Sequence, residues 1–471
     1  MCCEVFDASS KRYRSSANPI QAAVTDAANR GGGVVYVPGG DPWQLPSGII
    51  IPWAVDSSPF DPAPAIHLVG DGPDNTIIER LGGGAAFSNL EIRRSSTTVS
   101  GITFDGSAGS AFFGHGIVVG EVHSPGQNDN RVVRGIRLNN CVVRGAAQNS
   151  LYLPGGINLD DPLVQPPISL DSSFTDCMFS ANRGTGPGGG IAIEARCMGH
   201  SFRGCHVDLF RNRGIRLSQC NGVSFHECTV EATQSNDQPY VDIDDARGCE
   251  FLDCWFEETQ SSAGSGSIQW FLSMSGRCTG TTIANCQFIR KQNLARVIRM
   301  ESGAEPPVGV VILSPTIYLT GLPPGGEPSE ILILDPLSEV ALFGGVVLVV
   351  GSGTTVYRSL EVQDTGNFSA AFAPMQRLRL PKLSSAEIAA WLTSNRRTSD
   401  VVNRLLGAST IGAGLEAFNN NSTWLPLTVN RYASAADLTA STSRDRGTLA
   451  WLDSPPSLKV FDGSAWQTVW S

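Results

Sequence analysis

Six cysteines in the middle of this chain sit in one shared frame of apolar residues and glycine. With Cys141 as anchor, the residues eight, six and three positions before it and two after it are Val133, Gly135, Leu138 and Val143. Around Cys205 the frame reads Cys197, Gly199, Phe202 and Val207, and around Cys228 it reads Cys220, Gly222, Phe225 and Val230. Cys254 repeats it with Ala246, Gly248, Phe251 and Phe256, and Cys286 with Cys278, Gly280, Ile283 and Phe288. Cys177 carries a weaker copy in Ser169, Asp171, Phe174 and Phe179. Degenerate copies flank the set at Val99, Ile102 and Phe104, and at Gly309, Ile312, Pro315 and Ile317. Successive anchors are 36, 28, 23, 26 and 32 residues apart, so a fixed core alternates with loops of variable length. A coil of constant cross-section with insertions at its corners has this signature.

Within the copies the apolar residues alternate, as in Ile191 with Ile193, Ile215 with Leu217 and Val241 with Ile243; none has the helical period. Strands stacked turn upon turn bury one continuous core while each backbone group pairs with the next turn. The repeat therefore predicts an all-β fold, a right-handed parallel β-helix, from about Val99 to Ile317. Composition agrees, because 51 Gly, 28 Pro and only 17% charged residues suit many short strands joined by tight bends. Nine of the twelve cysteines take inward positions of the frame, where a thiol is a small apolar filler, and no Cys-x-x-Cys pair is present. Neither a disulfide framework nor a metal or other cofactor is expected. Cys2 and Cys3 lie outside the repeat.

Before the repeat, Asn18 can cap a helix with Pro19 at its first position and Gln21 completing a capping box. Ile20, Ala23, Val24 and Ala27 form its apolar stripe and Gly31 ends it, which predicts an entry helix over 18–30. Val34 to Val37, Gly48 to Ile51, Ile66 to Val69 and Thr76 to Ile78 read as short strands. Past Tyr318 the frame fades, with Val340 to Val350 supplying one or two last turns. From Pro381 the character changes: Ser384 and Glu387 cap a helix through Leu392, and Asp400 to Leu406 is also helical. The end is β again, with strands over Thr448 to Leu452, Leu458 to Phe461 and Ala465 to Trp470 and a hairpin turn at Asp462-Gly463. Three tryptophans in the last 21 residues call for a burying surface, which an oligomer contact would provide.

The balance of 34 basic against 44 acidic residues, a net charge of −10, has the wrong sign for tracking nucleic acid. No window holds 18 consecutive apolar residues, so no membrane insertion is expected, and Met1-Cys2-Cys3-Glu4 lacks the pattern of a signal peptide. Folding in a cytoplasm is the expectation. Gly-x-Ser-x-Gly, His-Glu-x-x-His and P-loop motifs are absent, and Gly70-x-Gly72 follows a strand without opening a helix.

Two stretches resemble known families. Ile20-Gln21-Ala22-Ala23 through Gly31-Gly32-Gly33-Val34-Val35-Tyr36-Val37-Pro38, followed by Leu68-Val69-Gly70-Asp71-Gly72, resembles the N-terminal part of the pectate-lyase-like β-helix superfamily. Ala433 to Trp466, with Gly447-Thr448-Leu449-Ala450-Trp451 and Asp462-Gly463-Ser464-Ala465-Trp466, resembles a short C-terminal module of bacteriophage tail and head fibres. Together these resemblances imply a homotrimeric tail spike assembled in the host cytoplasm, carried on the virion beside other structural proteins, and recognising a bacterial surface polysaccharide. On that reading residues 1–17 are an attachment peptide, 18–375 the solenoid, and 376–471 a trimerisation or receptor-binding region. Such spikes often begin with a sizeable head-binding domain and an acidic lead-in, and this sequence shows neither before its first helix.

Alternation within the frame places outward side chains one and three positions past each anchor. These are His206 and Asp208, Thr229 and Glu231, and Trp255 and Glu257 in three consecutive copies. Asp208, Glu231 and Glu257 are the candidate catalytic acids, with His206 and Trp255 as glycan contacts; neighbouring acids about 5 Å apart and alternate ones about 10 Å apart bracket the separations used in retaining and inverting glycoside hydrolysis. A second strip carries Arg216, Asp242 and Asp244 as further glycan contacts. The same acids are also what an ordinary solvated wall carries. Two functions therefore lead, a depolymerase acting by hydrolysis or elimination and a fibre or decoration protein that only adsorbs or stiffens the virion, ahead of a free pectate-lyase-like enzyme, which the want of a secretion signal disfavours.

Overall fold

The computed structural model describes residues 4–53, 64–81, 88–106, 114–120, 132–155, 169–181, 189–210, 213–232, 238–258, 270–290, 297–301 and 307–319. Beyond these it describes 332–333, 340–343, 346–351, 354–359, 430–434, 449–454, 456–461 and 466–470. The chain divides into two units, residues 1–374 and 375–471.

In the first unit each turn of chain adds one strand to each of three parallel sheets. A first sheet of twelve strands runs from Val5–Asp7 to Val340–Phe343, and a second of twelve from Trp43–Leu45 to Thr354–Ser359. A third, of ten strands, runs from Ile49–Ile51 to Leu332–Ile333. One turn shows the order: Gly189–Ile193 in the third sheet, Ser201–Arg203 in the first, His206–Asp208 in the second. This is a parallel β-helix, and the right-handed sense is the one that twisted strands joined by parallel crossovers adopt.

The register places the predicted frame in columns. Leu138, Phe174, Phe202, Phe225, Phe251, Ile283 and Ile312 pair in succession along the first sheet. Val143, Phe179, Val207, Val230, Phe256, Phe288 and Ile317 do so along the second. All are buried. Phe174, Phe202, Phe225 and Phe251 stack face to face with centroids 4.4, 4.6 and 5.0 Å apart. The glycine of the frame marks a one-residue corner: Gly199, Gly222 and Gly248 take φ of 69°, 60° and 60°, and Asp171 holds the equivalent place at 50°. Glycine is favoured there because a side chain strains the left-handed backbone. Ten cysteines are described, and all are free and buried, including Cys249, which the frame did not single out. Burial pushes the Cys197 and Cys278 thiols up to about 12, which keeps them protonated and unreactive.

The solenoid is longer than the recognisable copies. The strands at Val5–Asp7, Gly33–Val37 and Ile66–Gly70 already belong to the first sheet, and Val340–Phe343 and Val346–Gly351 continue the first and second. Thr354–Ser359 then runs antiparallel to Val346–Gly351. The helix spans Pro19–Asn29, with Asn18 Oδ1 accepting from the Gln21 amide at 2.9 Å, and buries Ile20, Ala23, Val24 and Ala27. Gln21 makes no capping box. Its side chain instead takes the Ile50 N–H at 2.6 Å and donates to the Ile50 carbonyl at 3.0 Å, because that strand edge offers both groups.

Where the second and third sheets meet, the core holds an ion pair. Glu258 and Arg290 are 2% and 1% exposed, with Arg290 Nε 3.9 Å from Glu258 Oε2 and its guanidinium 5.4 Å from the Phe271 ring centre. Burial, then the Glu258 charge, pushes the Tyr240 hydroxyl pKa up beside them.

In the second unit Asn430–Ser434, Leu449–Ser454, Pro456–Phe461 and Trp466–Trp470 form a four-stranded sheet in chain order, the first pair parallel and the others antiparallel. The three predicted closing strands are among them. The helices expected at 384–392 and 400–406 and the Asp462-Gly463 turn lie outside the described residues.

Candidate functional site

On the second sheet, His206, Thr229 and Trp255 stand in one outward column, and Glu231 pairs with Glu257 in the next. His206 Nε2 lies 3.4 Å from Glu231 Oε1, and Trp255 Nε1 donates to Glu257 Oε2 at 3.0 Å. Trp255 is half-buried rather than exposed. Its indole N–H engages Glu257, which draws that carboxylate toward its own ring.

Asp208 departs from its expected place. Sequence alternation sets it facing solvent, yet it is only 9% exposed. Its strand stops there: Leu209 takes a left-handed φ of 53° and Phe210 turns fully into the core, so Asp208 is held down beside Ser180, its ladder partner. Desolvation raises its pKa, opposed by the Ser180 hydrogen bond and the His206 charge. Its Oδ1 is buried without a hydrogen-bond partner among the described residues. A carboxyl group in such a place favours its protonated form. Asp208 and Glu231 each follow a paired residue, Val207 and Val230, on adjacent rungs, and the ladder between these strands ends at that pair.

The second predicted strip lies on the outer face of the third sheet. Arg216 pairs with Asp242 in the ladder, and Asp244 Oδ1 accepts the Ser275 hydroxyl at 3.0 Å. Asp242 is raised by desolvation, with the adjacent Arg213 guanidinium pulling the other way. Arg216 Nη1 approaches Glu194 Oε1 at 3.8 Å, and the Tyr152 hydroxyl donates to Glu194 Oε2 at 2.8 Å. The Tyr152 ring stacks on His115, centroids 4.2 Å apart and planes 14° apart. Burial lowers the His115 pKa to about 4 and raises that of Tyr152. His115, Tyr152, Glu194 and Arg213 were not among the predicted residues. The outward place of Tyr152 between Leu151 and Leu153 was readable, but its alignment with Arg216 needs the ladder. Among the described residues no group of three or more His, Cys, Asp or Glu side chains converges as a metal site requires.

Residues 88–288 match the family described as a right-handed beta helix region. No curated protein matches the chain. Among solved structures, ORF18 of Geobacillus virus E2 shares the fold at 14% identity and a TM-score of 0.51, over 75% of this chain and 63% of that one. The tailspike gp49 of Acinetobacter baumannii bacteriophage Fri1, a capsular polysaccharide depolymerase, aligns at 12% identity and a TM-score of 0.48, over 83% and 66%. An alginate lyase from Paenibacillus sp. str. FPU-7 aligns at 10% identity and a TM-score of 0.43, over 74% and 98%. The chain thus spans just under two-thirds of the length of either phage protein.

Proposed function

We propose that this right-handed parallel β-helix is the body of a trimeric virion spike that recognises a bacterial surface polysaccharide and hydrolyses it with Asp208 and Glu231. The observation that carries the reading is the unequal environment of two carboxylates on neighbouring rungs. Asp208, desolvated and raised, is suited to protonate a glycosidic oxygen. Glu231, more exposed and beside His206, is suited to attack the anomeric carbon as the nucleophile of a retaining enzyme does. The glycosyl bond to Glu231 would then be cleaved by water, with Asp208 accepting the proton. Trp255 offers a ring beside this pair for a sugar face. A virus protein of the same fold is consistent with a virion setting.

The test is incubation with capsular polysaccharides and lipopolysaccharides from a strain panel, followed by sizing of the chains. Shortened product is expected from the wild type, and Asp208→Asn or Glu231→Gln should each lower cleavage about 100-fold or more while leaving retention on the polymer. Because the proton sits on a carboxyl with a raised pKa, cleavage should fall on the alkaline side as Asp208 ionises. Retention without shortening by the wild type would favour the adsorption-only fibre. For the assembly, light scattering of the full chain should return a mass of three chains, and a stable monomer would remove the trimer from the proposal.

A further inference from the structure

The outer face of the third sheet carries polar groups in an order that the second-sheet acids do not share. The ladder aligns Tyr152, Ala192, Arg216, Asp242, Ser273 and Arg299, one residue per rung. Rungs repeat every 4.8 Å or so, close to the length of one sugar in an extended polysaccharide. At one end of the row the Tyr152 ring is backed by His115, which makes a rigid aromatic plate. Ala192 is short, and Tyr152 and Arg216 lean over it to meet at Glu194, so plate and guanidinium form one surface.

The charges along this row are already matched. Arg213 sits on Asp242, Arg216 faces Glu194, and Arg299 Nη1 reaches Glu301 Oε1 at 2.8 Å. His115, lowered to about 4, adds no charge at neutral pH. A polyanion would need an uncompensated cation, and among the described residues this row has none to give. Hydroxyl groups need no such excess, since each can donate to a carboxylate and accept from a guanidinium. The Arg216 and Arg299 side chains remain 44% and 43% exposed, open to that use.

We propose that this face, from Tyr152 to Arg299, binds an uncharged polysaccharide segment laid along the solenoid axis, with the Tyr152 ring as its stacking plate and the exposed Arg216 and Arg299 as hydroxyl contacts. The inference rests on the glycan-recognition reading above and adds the class of sugar and the surface that holds it.

The experiment uses the full chain and immobilised polymers of two kinds, neutral bacterial O-polysaccharides and uronate-containing capsular polysaccharides, read by biolayer interferometry at low and high salt. A neutral polymer should be retained with less than about a twofold change between the two salts, since no net charge is neutralised. Tyr152→Ala and Arg216→Gln should each weaken that retention about tenfold, whereas Tyr152→Phe keeps the plate and most of the binding. Arg216 is exposed enough for its variant to fold, which separates lost binding from lost structure. Retention confined to uronate polymers, abolished by salt, or undiminished in both Tyr152→Ala and Arg216→Gln overturns the proposal while polysaccharide recognition stands. Retention of no polymer at all overturns both.

Discussion

Phe225→Ala lowers stability by about 3–5 kcal/mol. Phe225 is 1% exposed and lies between Phe202 at 4.6 Å and Phe251 at 5.0 Å, with ring planes within 9° and 3° of parallel. Removing the ring leaves a gap that neither neighbour can fill, because the strands carrying Phe202 and Phe251 are pinned by their own ladder bonds. Phe225→Leu leaves less unfilled volume and should cost clearly less. Thermal melts of the two variants against the wild type are the check. An alanine variant melting with the wild type would mean that this column is not the stacked core.

Arg290→Ala is the second large loss, again about 3–5 kcal/mol, and its cause is electrostatic. The substitution takes the guanidinium away from the Glu258 carboxylate, which is 2% exposed in the core near Tyr240, and off the Phe271 ring. The double variant Arg290→Met with Glu258→Leu removes both charges and fills much of the space, so it should recover most of the loss. Denaturant midpoints for the single and double variants decide the matter. Equal midpoints would show that the lost ion pair contributes little and that lost packing alone is at work.

The frame was legible because inward positions of the middle turns tolerate few residue types: a ring or branched chain in one column, a thiol in the next, glycine at the left-handed corner. The turns before Val99 use the same columns without cysteine, so their strands could be read but not their register. A second corner, just before each anchor, went unread. It is left-handed at Asn140, Asp176, Gly204, Glu227, Asp253 and Asn285, and all but Glu227 are the Asn, Asp or Gly that this backbone favours. Alternation put His206, Glu231 and Trp255 on the outer wall, where they are. It failed at Asp208 because alternation assumes that the strand continues, and here the chain leaves it one residue later. The His115, Tyr152 and Glu194 group went unseen for another reason: its members come from three turns separated by loops of unequal length, and only the ladder brings them level.

A parallel β-helix is half of a fibril. Its end turns present open strand edges in register with themselves, a template on which another copy of the chain could grow. The contacts at Ile50 and Thr354 bear on that hazard. Gln21 occupies the free N–H and C=O of Ile50, so an arriving strand finds these edge groups already paired. At the other end Thr354–Ser359 lies against Val346–Gly351 in reversed direction, occupying the side that a further parallel turn of the second sheet would need. Two of the six sheet ends are thereby covered by a local substitution of partner, an amide for a strand and an antiparallel strand for a parallel one. A molecule built by repetition thus carries its own chain terminators.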